Sequence, residues 1–266
     1  MFTLDQSLYI KGSAGDPLPV VWDTLAQRGT RFLRGQLCLL CAGPGVGKSA
    51  LILTYALHAK VPTLYFSADS DAFTQLSRSV SILTGDRMES ATRMVRAGDL
   101  GEVSEKFNDI PIRFNYSASP SLDQIEMSMR AYGEVYEDFP SLVIIDNVTN
   151  VRTGGDNDDD PFSGLEALMD YLHDMARRTG SCVVGLHHVT GGYNDADRPI
   201  PLSGVKGQIA RVPEMVLTLH KQTEEFGPDL LCVSTVKNRA GKADPSGSEY
   251  VALTFNGDTM QIKDTQ

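Results

Sequence analysis

The chain has 266 residues and a formal net charge of −10 at pH 7. That length can bury one large core, and the acidic balance argues against a surface that attracts nucleic acid everywhere, though not against a local basic site. No apolar run approaches the length of a membrane span, and Met1 to Gly15 lacks the charged-then-apolar order of a secretion signal, so a cytoplasmic protein with no membrane partner is expected.

The first strong signal in chain order is Leu37-Cys-Leu-Leu-Cys41, an apolar run that breaks into Ala42-Gly-Pro-Gly-Val-Gly-Lys-Ser49 and then into a helical pattern over 48–59. Strand, glycine-rich loop and helix in that order are the context of a phosphate-binding P-loop. Glycines let backbone N–H groups turn inward around an anion, and the new helix adds its positive end. Gly43, Pro44, Gly45, Val46, Gly47, Lys48, Ser49 and Ala50 are therefore the expected cradle for the phosphates of ATP. Lys48 is expected to reach the β- and γ-phosphates and the Ser49 hydroxyl to hold Mg²⁺. Ala42 stands where the motif usually begins with glycine.

Further apolar runs predict strands over 63–67, 111–114, 142–146, 182–187, 214–220, 231–237 and 249–255. Helical patterns occupy 71–84, 121–136 and 162–179, and 85–109 reads as mixed helix and loop. In the last helix Phe162, Leu165, Leu168, Met169, Leu172, Met175 and Ala176 recur at helical spacing, with Gly180 as a stop. Alternation of this kind predicts an α/β fold with a mostly parallel central sheet and helices on both faces. Cys38, Cys41, Cys182 and Cys232 lie in strand-like runs and read as buried small hydrophobes rather than metal ligands.

Ser141-Leu-Val-Ile-Ile-Asp146 ends a doubly buried strand on a carboxylate, a Walker B pattern in which Asp146 holds Mg²⁺. Thr63-Leu-Tyr-Phe-Ser-Ala-Asp-Ser70 offers Asp69 just past the strand that follows the P-loop helix. From position alone, Asp69 either orients the attacking water or, with Ser70 or Asp71, caps the next helix.

These segments resemble the RecA-fold core shared by DnaB-type hexameric helicases and RadA-type ATPases, over about Val21 to Ile262. Tyr65-Phe-Ser-Ala-Asp69 is similar to the family's strand ending in a catalytic Glu, with an Asp one methylene shorter. Val183-Val-Gly-Leu-His-His-Val-Thr190 resembles the RadA run Gly-His-Val-Thr, which implies that His188 senses the γ-phosphate. Val233-Ser-Thr-Val-Lys-Asn-Arg-Ala-Gly241 is similar to the Lys-x-Arg-x-Gly segment of the helicases, which implies that Lys237 and Arg239 act across a subunit boundary on a neighbour's nucleotide. The resemblance divides the chain into an N-terminal extension, 1–20, and a RecA-like ATPase domain, 21–266, without the partner domains of replicative helicases.

Leu202-Ser-Gly-Val-Lys-Gly-Gln-Ile209 resembles the helicase segment that grips single-strand phosphates, so Lys206, Gly207 and Arg211 are the expected DNA contacts. The acidic segment 153–161, Gly-Gly-Asp-Asn-Asp-Asp-Asp at its centre, sits where the family's first DNA loop would be and repels phosphate. The implied activity is Mg²⁺-dependent ATP hydrolysis driving a ring, a hexameric homo-oligomer, along single-stranded DNA in phage replication or recombination. A RecA/RadA-like recombinase or branch-migration ATPase shares the same site, and a nucleotide-gated assembly protein fits the acidic charge.

Overall fold

The computed structural model describes residues 1–153, 163–207, 209–223 and 227–265. The helices are α1 (Leu4–Ile10), α2 (Asp23–Gln27), α3 (Lys48–Ala59), α4 (Ala72–Thr84), α5 (Met88–Ala97), α6 (Val103–Asn108), α7 (Leu122–Tyr136) and α8 (Ser163–Thr179). The strands are β1 (Leu37–Ala42), β2 (Thr63–Ser67), β3 (Ile112–Asn115), β4 (Leu142–Asp146), β5 (Cys182–His188), β6 (Met215–Gln222), β7 (Asp229–Asn238), β8 (Tyr250–Asn256) and β9 (Gln261–Asp264). They form one sheet in the order β3-β2-β4-β5-β1-β6-β7-β8-β9.

From β3 to β6 neighbouring strands run parallel, and from β6 to β9 they run antiparallel. Every residue of β1, β2 and β4 is buried, so these strands are covered on both faces, as their unbroken apolar runs require. Beside them α3 is buried along nearly its whole length, and Leu165, Leu168, Met169, Leu172, Met175 and Ala176 of α8 enter the same core. Phe162 and most of the acidic segment, 154–161, lie outside the described residues.

Helix starts follow local chemistry. The Asp71 carboxylate accepts from the Thr74 N–H at 2.8 Å and caps α4, and Ser121 with Gln124 forms a reciprocal capping box on α7. Residues 85–109 resolve into α5 and α6, which close a small separate cluster around Val80, Ala91 and Val103.

Three elements have no counterpart in the sequence reading: α1, α2 and β9. β9 exists by pairing with β8, and it ties back to the start of the chain at α2. Trp22 Nε1 donates to the Ile262 carbonyl at 3.1 Å, and the Asp264 carboxylate accepts from the first N–H groups of α2. These contacts join residues about 240 positions apart, beyond the reach of any local pattern. α1 buries none of its residues. The four cysteines are free and buried.

Candidate nucleotide site

Register brings the predicted residues together. Ala42 at the end of β1 pairs with His188 at the end of β5, and Ser67 at the end of β2 pairs with Asp146 at the end of β4. The order β2-β4-β5-β1 therefore sets Asp69, Asp146, His188 and the P-loop in a row along one edge, spanning roughly 14 Å at the spacing of neighbouring strands. Ligands bind at this carboxyl edge in open α/β sheets.

The loop itself needs its glycines. Gly45 and Gly47 adopt φ of +73° and +122°, values that a side chain disfavours, and Gly47 caps the start of α3. A Cβ on Gly43 would overlap the Asn194 carbonyl oxygen, so the segment after β5 lies directly against the loop. Lys48 is buried, and its ammonium donates to the carbonyls of Ala42 at 3.1 Å and Gly43 at 3.0 Å. Burial pulls its pKa below the usual lysine value, opposed by Cys41, Asp146 and Asp69.

Asp146 is only 2% exposed. Burial raises its carboxyl pKa, against hydrogen bonds from the Ser49 and Tyr65 hydroxyls, which favour the charged form. Tyr65 Oη donates to Asp146 Oδ2 at 2.9 Å. Ser49 and Asp146 thus converge on one spot beside the loop, a pair of hard oxygen donors of the type Mg²⁺ takes together with substrate phosphates. Among the described residues no group of three or more His, Cys, Asp or Glu is placed to hold a metal by protein ligands alone.

Because Asp71 caps α4, Asp69 is left for other work. It is exposed, and its carboxylate accepts from Asn150 Nδ2 at 2.7 Å and Asn147 Nδ2 at 3.4 Å. The same Asn147 amide lies 2.9 Å from His188 Nε2. Burial lowers the His188 pKa, reinforced by Lys48 and Lys206 and opposed by Asp69. The sequence reading names none of Tyr65, Asn147 and Asn150 as a site residue. The spacing Asp146-Asn-x-x-Asn150 was the available signal, since the one 3₁₀ turn over Val148–Asn150 sets side chains three apart on one side.

The segment carrying the predicted DNA contacts hangs from the end of β5. His187, fully buried, has Nε2 2.9 Å from the Lys206 carbonyl, Val189 bridges to Val205, and Thr190 N–H donates to the Gly204 carbonyl. Where this segment meets the end of β7, an open groove of about 600 Å³ is lined by Val205, Gly207, Arg211, Lys237 and Asn238 among others. Gln208 lies outside the described residues.

Lys237 and Arg239 lie beside this segment and away from the P-loop. β7 runs antiparallel to β6, Val216 faces Lys237, and Arg239 N–H donates to the Glu214 carbonyl, level with the first residue of β1. Arg239 is therefore about 16 Å along the strand direction from the end of β1, where the P-loop begins. Lys237 donates to the carbonyls of Ala210 and Arg211 at 2.8 and 2.7 Å, and Arg239 donates to the Arg211 carbonyl at 3.0 Å. Glu214 lies within 3.7 Å of Arg239 and 2.8 Å of His173 Nε2.

A P-loop after β1, with a carboxylate at the tip of β4 on the far side of β5, defines a RecA-fold P-loop ATPase. The chain belongs to the family described as the AAA domain, which matches residues 25–192. It is 68% identical over 265 residues to the Gene 65 protein of Mycobacterium phage L5, covering 99% of each chain. It is 67% identical over 229 residues to the Gene 65 protein of Mycobacterium phage D29, covering 86% of this chain and 99% of that one. Among solved structures, a DnaB-like replicative helicase superposes with a TM-score of 0.82 at 17% identity, over 100% of this chain and 68% of that one. A second solved chain, an isolated ATPase domain, gives 0.82 at 16% over 99% of this chain and 96% of its own. The RadB recombinase gives 0.61 at 14% over 94% and 100%. No helix among the described residues is long and apolar enough to cross a membrane.

Proposed function

We propose that this ATPase is Mg²⁺-dependent and drives a ring-shaped motor along single-stranded DNA, as a DnaB-like helicase in phage replication or recombination. One observation carries the reading: Arg239 and Lys237 stand too far from their own P-loop to serve it, yet lie in a segment resembling the one that helicases use against a neighbouring nucleotide. A site completed by a second copy needs an oligomer, and one heterologous interface repeated around an axis gives a closed ring, here a hexamer. The apolar residues Phe2, Leu4, Leu8, Tyr9 and Ile10, all exposed, support a contact between copies made by the extension, 1–20, outside the domain proper, 21–266.

In this mechanism the amides of 43–50 and the Lys48 ammonium hold the triphosphate. Ser49 and Asp146 would hold Mg²⁺, which would supply positive charge against the developing charge of the triphosphate. Asp69 orients the attacking water, His188 contacts the γ-phosphate and passes its state to the segment that begins at Thr190, and the neighbour's Lys237 and Arg239 stabilise charge at the γ-phosphate. Lys206, Gly207 and Arg211 grip the DNA backbone without regard to sequence.

The test is ATP hydrolysis with and without single-stranded DNA, followed by strand displacement. DNA-stimulated hydrolysis with displacement supports the helicase. Strand exchange without displacement supports the recombinase, a reading favoured by the RadA-like run ending at Thr190. Hydrolysis indifferent to DNA supports a nucleotide-gated assembly protein.

A further inference from the structure

We propose that Asn147 is a positioning residue that holds Asp69 and His188 as one unit, by donating from a single side-chain amide to both. The inference rests on the ATPase reading above and adds to it a residue outside the motifs that suggested that reading.

The amide's orientation follows from its partners. A carboxylate only accepts hydrogen bonds, so the edge of Asn147 facing Asp69 must be the NH₂ edge, as found. That nitrogen carries two hydrogens, and the second points at His188 Nε2, 2.9 Å away. His188 Nε2 is then the acceptor, which puts the imidazole proton on Nδ1. Among the described residues His188 Nδ1 is buried without a hydrogen-bond partner. Burial of Asn147, 2% exposed, keeps water from replacing the bridge.

The geometry makes the two groups mutually dependent. If His188 Nε2 carried a proton, Asn147 would have to turn its carbonyl oxygen toward the ring. Its NH₂ group would then leave Asp69, and the carboxylate would keep only the Asn150 contact. A change at His188 therefore reaches Asp69 through one amide rotation, without movement of the sheet.

The test uses the full chain with ¹⁵N-labelled histidine, His188 being identified by its loss in a His188→Gln variant. At pH 8 the wild type is expected to show His188 with a protonated Nδ1 and an unprotonated Nε2. Asn147→Asp, which offers only acceptors, should invert this pattern, and Asn150→Ala should not. In hydrolysis assays Asn147→Asp should lower kcat by about 10²-fold, the usual cost of misplacing a reacting group, with KM and fluorescent-nucleotide affinity within about threefold of wild type. The opposite tautomer in the wild type, an unchanged kcat in Asn147→Asp, or a loss of nucleotide affinity equal to the loss of kcat would each overturn the proposal. A wild-type chain that does not hydrolyse ATP would overturn the function instead. The tautomer is read without turnover or any variant at position 147, so it judges the bridge by itself.

Discussion

Lys237 donates to the carbonyl oxygen of Arg211 at 2.7 Å, so the tip of β7 is tied to the segment bearing the candidate DNA contacts. The same ammonium also holds the Ala210 carbonyl. Removing it takes this donor from the Ala210 carbonyl and leaves the Arg211 carbonyl with Arg239 alone. Lys237→Ala should speed amide hydrogen exchange over residues 205–211 by about fivefold, the effect of losing about 1 kcal/mol of hydrogen bonding. Exchange at the wild-type rate would show that other contacts hold the segment.

In the proposed ring Arg239 would bear on the neighbour rather than on its own loop. Arg239→Ala alone should abolish most hydrolysis, since a finger of this kind contributes on the order of 10³ to 10⁵ in rate. Lys48→Ala alone should also be inactive. Mixed together, the two variants assemble some boundaries with an intact loop on one side and an intact finger on the other, and activity should partly return. Titration of one variant into the other checks this, and a flat response at all ratios excludes a shared site.

Asp69 can be tested without touching the loop. Asp69→Asn keeps the size of the side chain but removes its charge and its capacity to take up a proton. It should retain nucleotide affinity while kcat falls about 10² to 10⁴-fold, as for loss of a general base. Because Asp71 is the cap of α4, the thermal midpoint should stay near wild type. A stable variant with full turnover would assign the water to another group.

Lys206 and Arg211 should govern affinity for single-stranded DNA through charge. Replacing either with alanine should weaken binding across all sequences and reduce the slope of log affinity against log salt by about 1. Fluorescence anisotropy between about 50 and 200 mM salt, concentrations at which such contacts respond strongly, measures that slope. A slope equal to wild type in both variants would move the contact elsewhere.

His187 gives a pH dependence with a definite sign. Burial, first, together with His188, Lys206 and Lys48, lowers its pKa to about 4, against a partial rise from the bond to the Lys206 carbonyl. The unfolded histidine titrates near 6.5, so between about pH 6.5 and 4 the unfolded chain binds a proton that the folded chain refuses. Stability is therefore full above that window and is lost as pH falls through it, by on the order of 3 kcal/mol from this group. His187→Gln should flatten that part of a urea-midpoint curve, leaving a smaller slope from His58, His188 and His220, whose pKa values are also lowered by burial. An unaltered curve would mean that His187 does not govern the acid limb.

Much of the scaffold was readable in advance because its signals are contiguous. The runs 37–41, 63–67 and 142–146 are apolar almost without interruption, as strands covered on both faces require, and each forms a strand of the central sheet. The helix predicted over 48–59 has those bounds. Asp69 illustrates the limit: which of Asp69, Ser70 and Asp71 caps α4 was open until Asp71 was seen to bond Thr74. Tyr65 gave no sign that it donates to a carboxylate 81 residues later. Nor could β9 be seen, since a four-residue strand is held mainly by its partner and by Trp22.

Residue order alone thus determined the loop that turns around phosphate, the doubly covered strands and the helix that follows the loop, because each depends on neighbours within about a dozen positions. Which side chains share the site was decided by tertiary structure. Strand order β2-β4-β5-β1 and its register brought Asp69, Asn147 and His188 within one amide's reach, and the antiparallel turn of β7 carried Arg239 to the other edge. Hydrogen bonds act over about 3 Å, and only the folded sheet sets distances on that scale between residues so far apart in the chain.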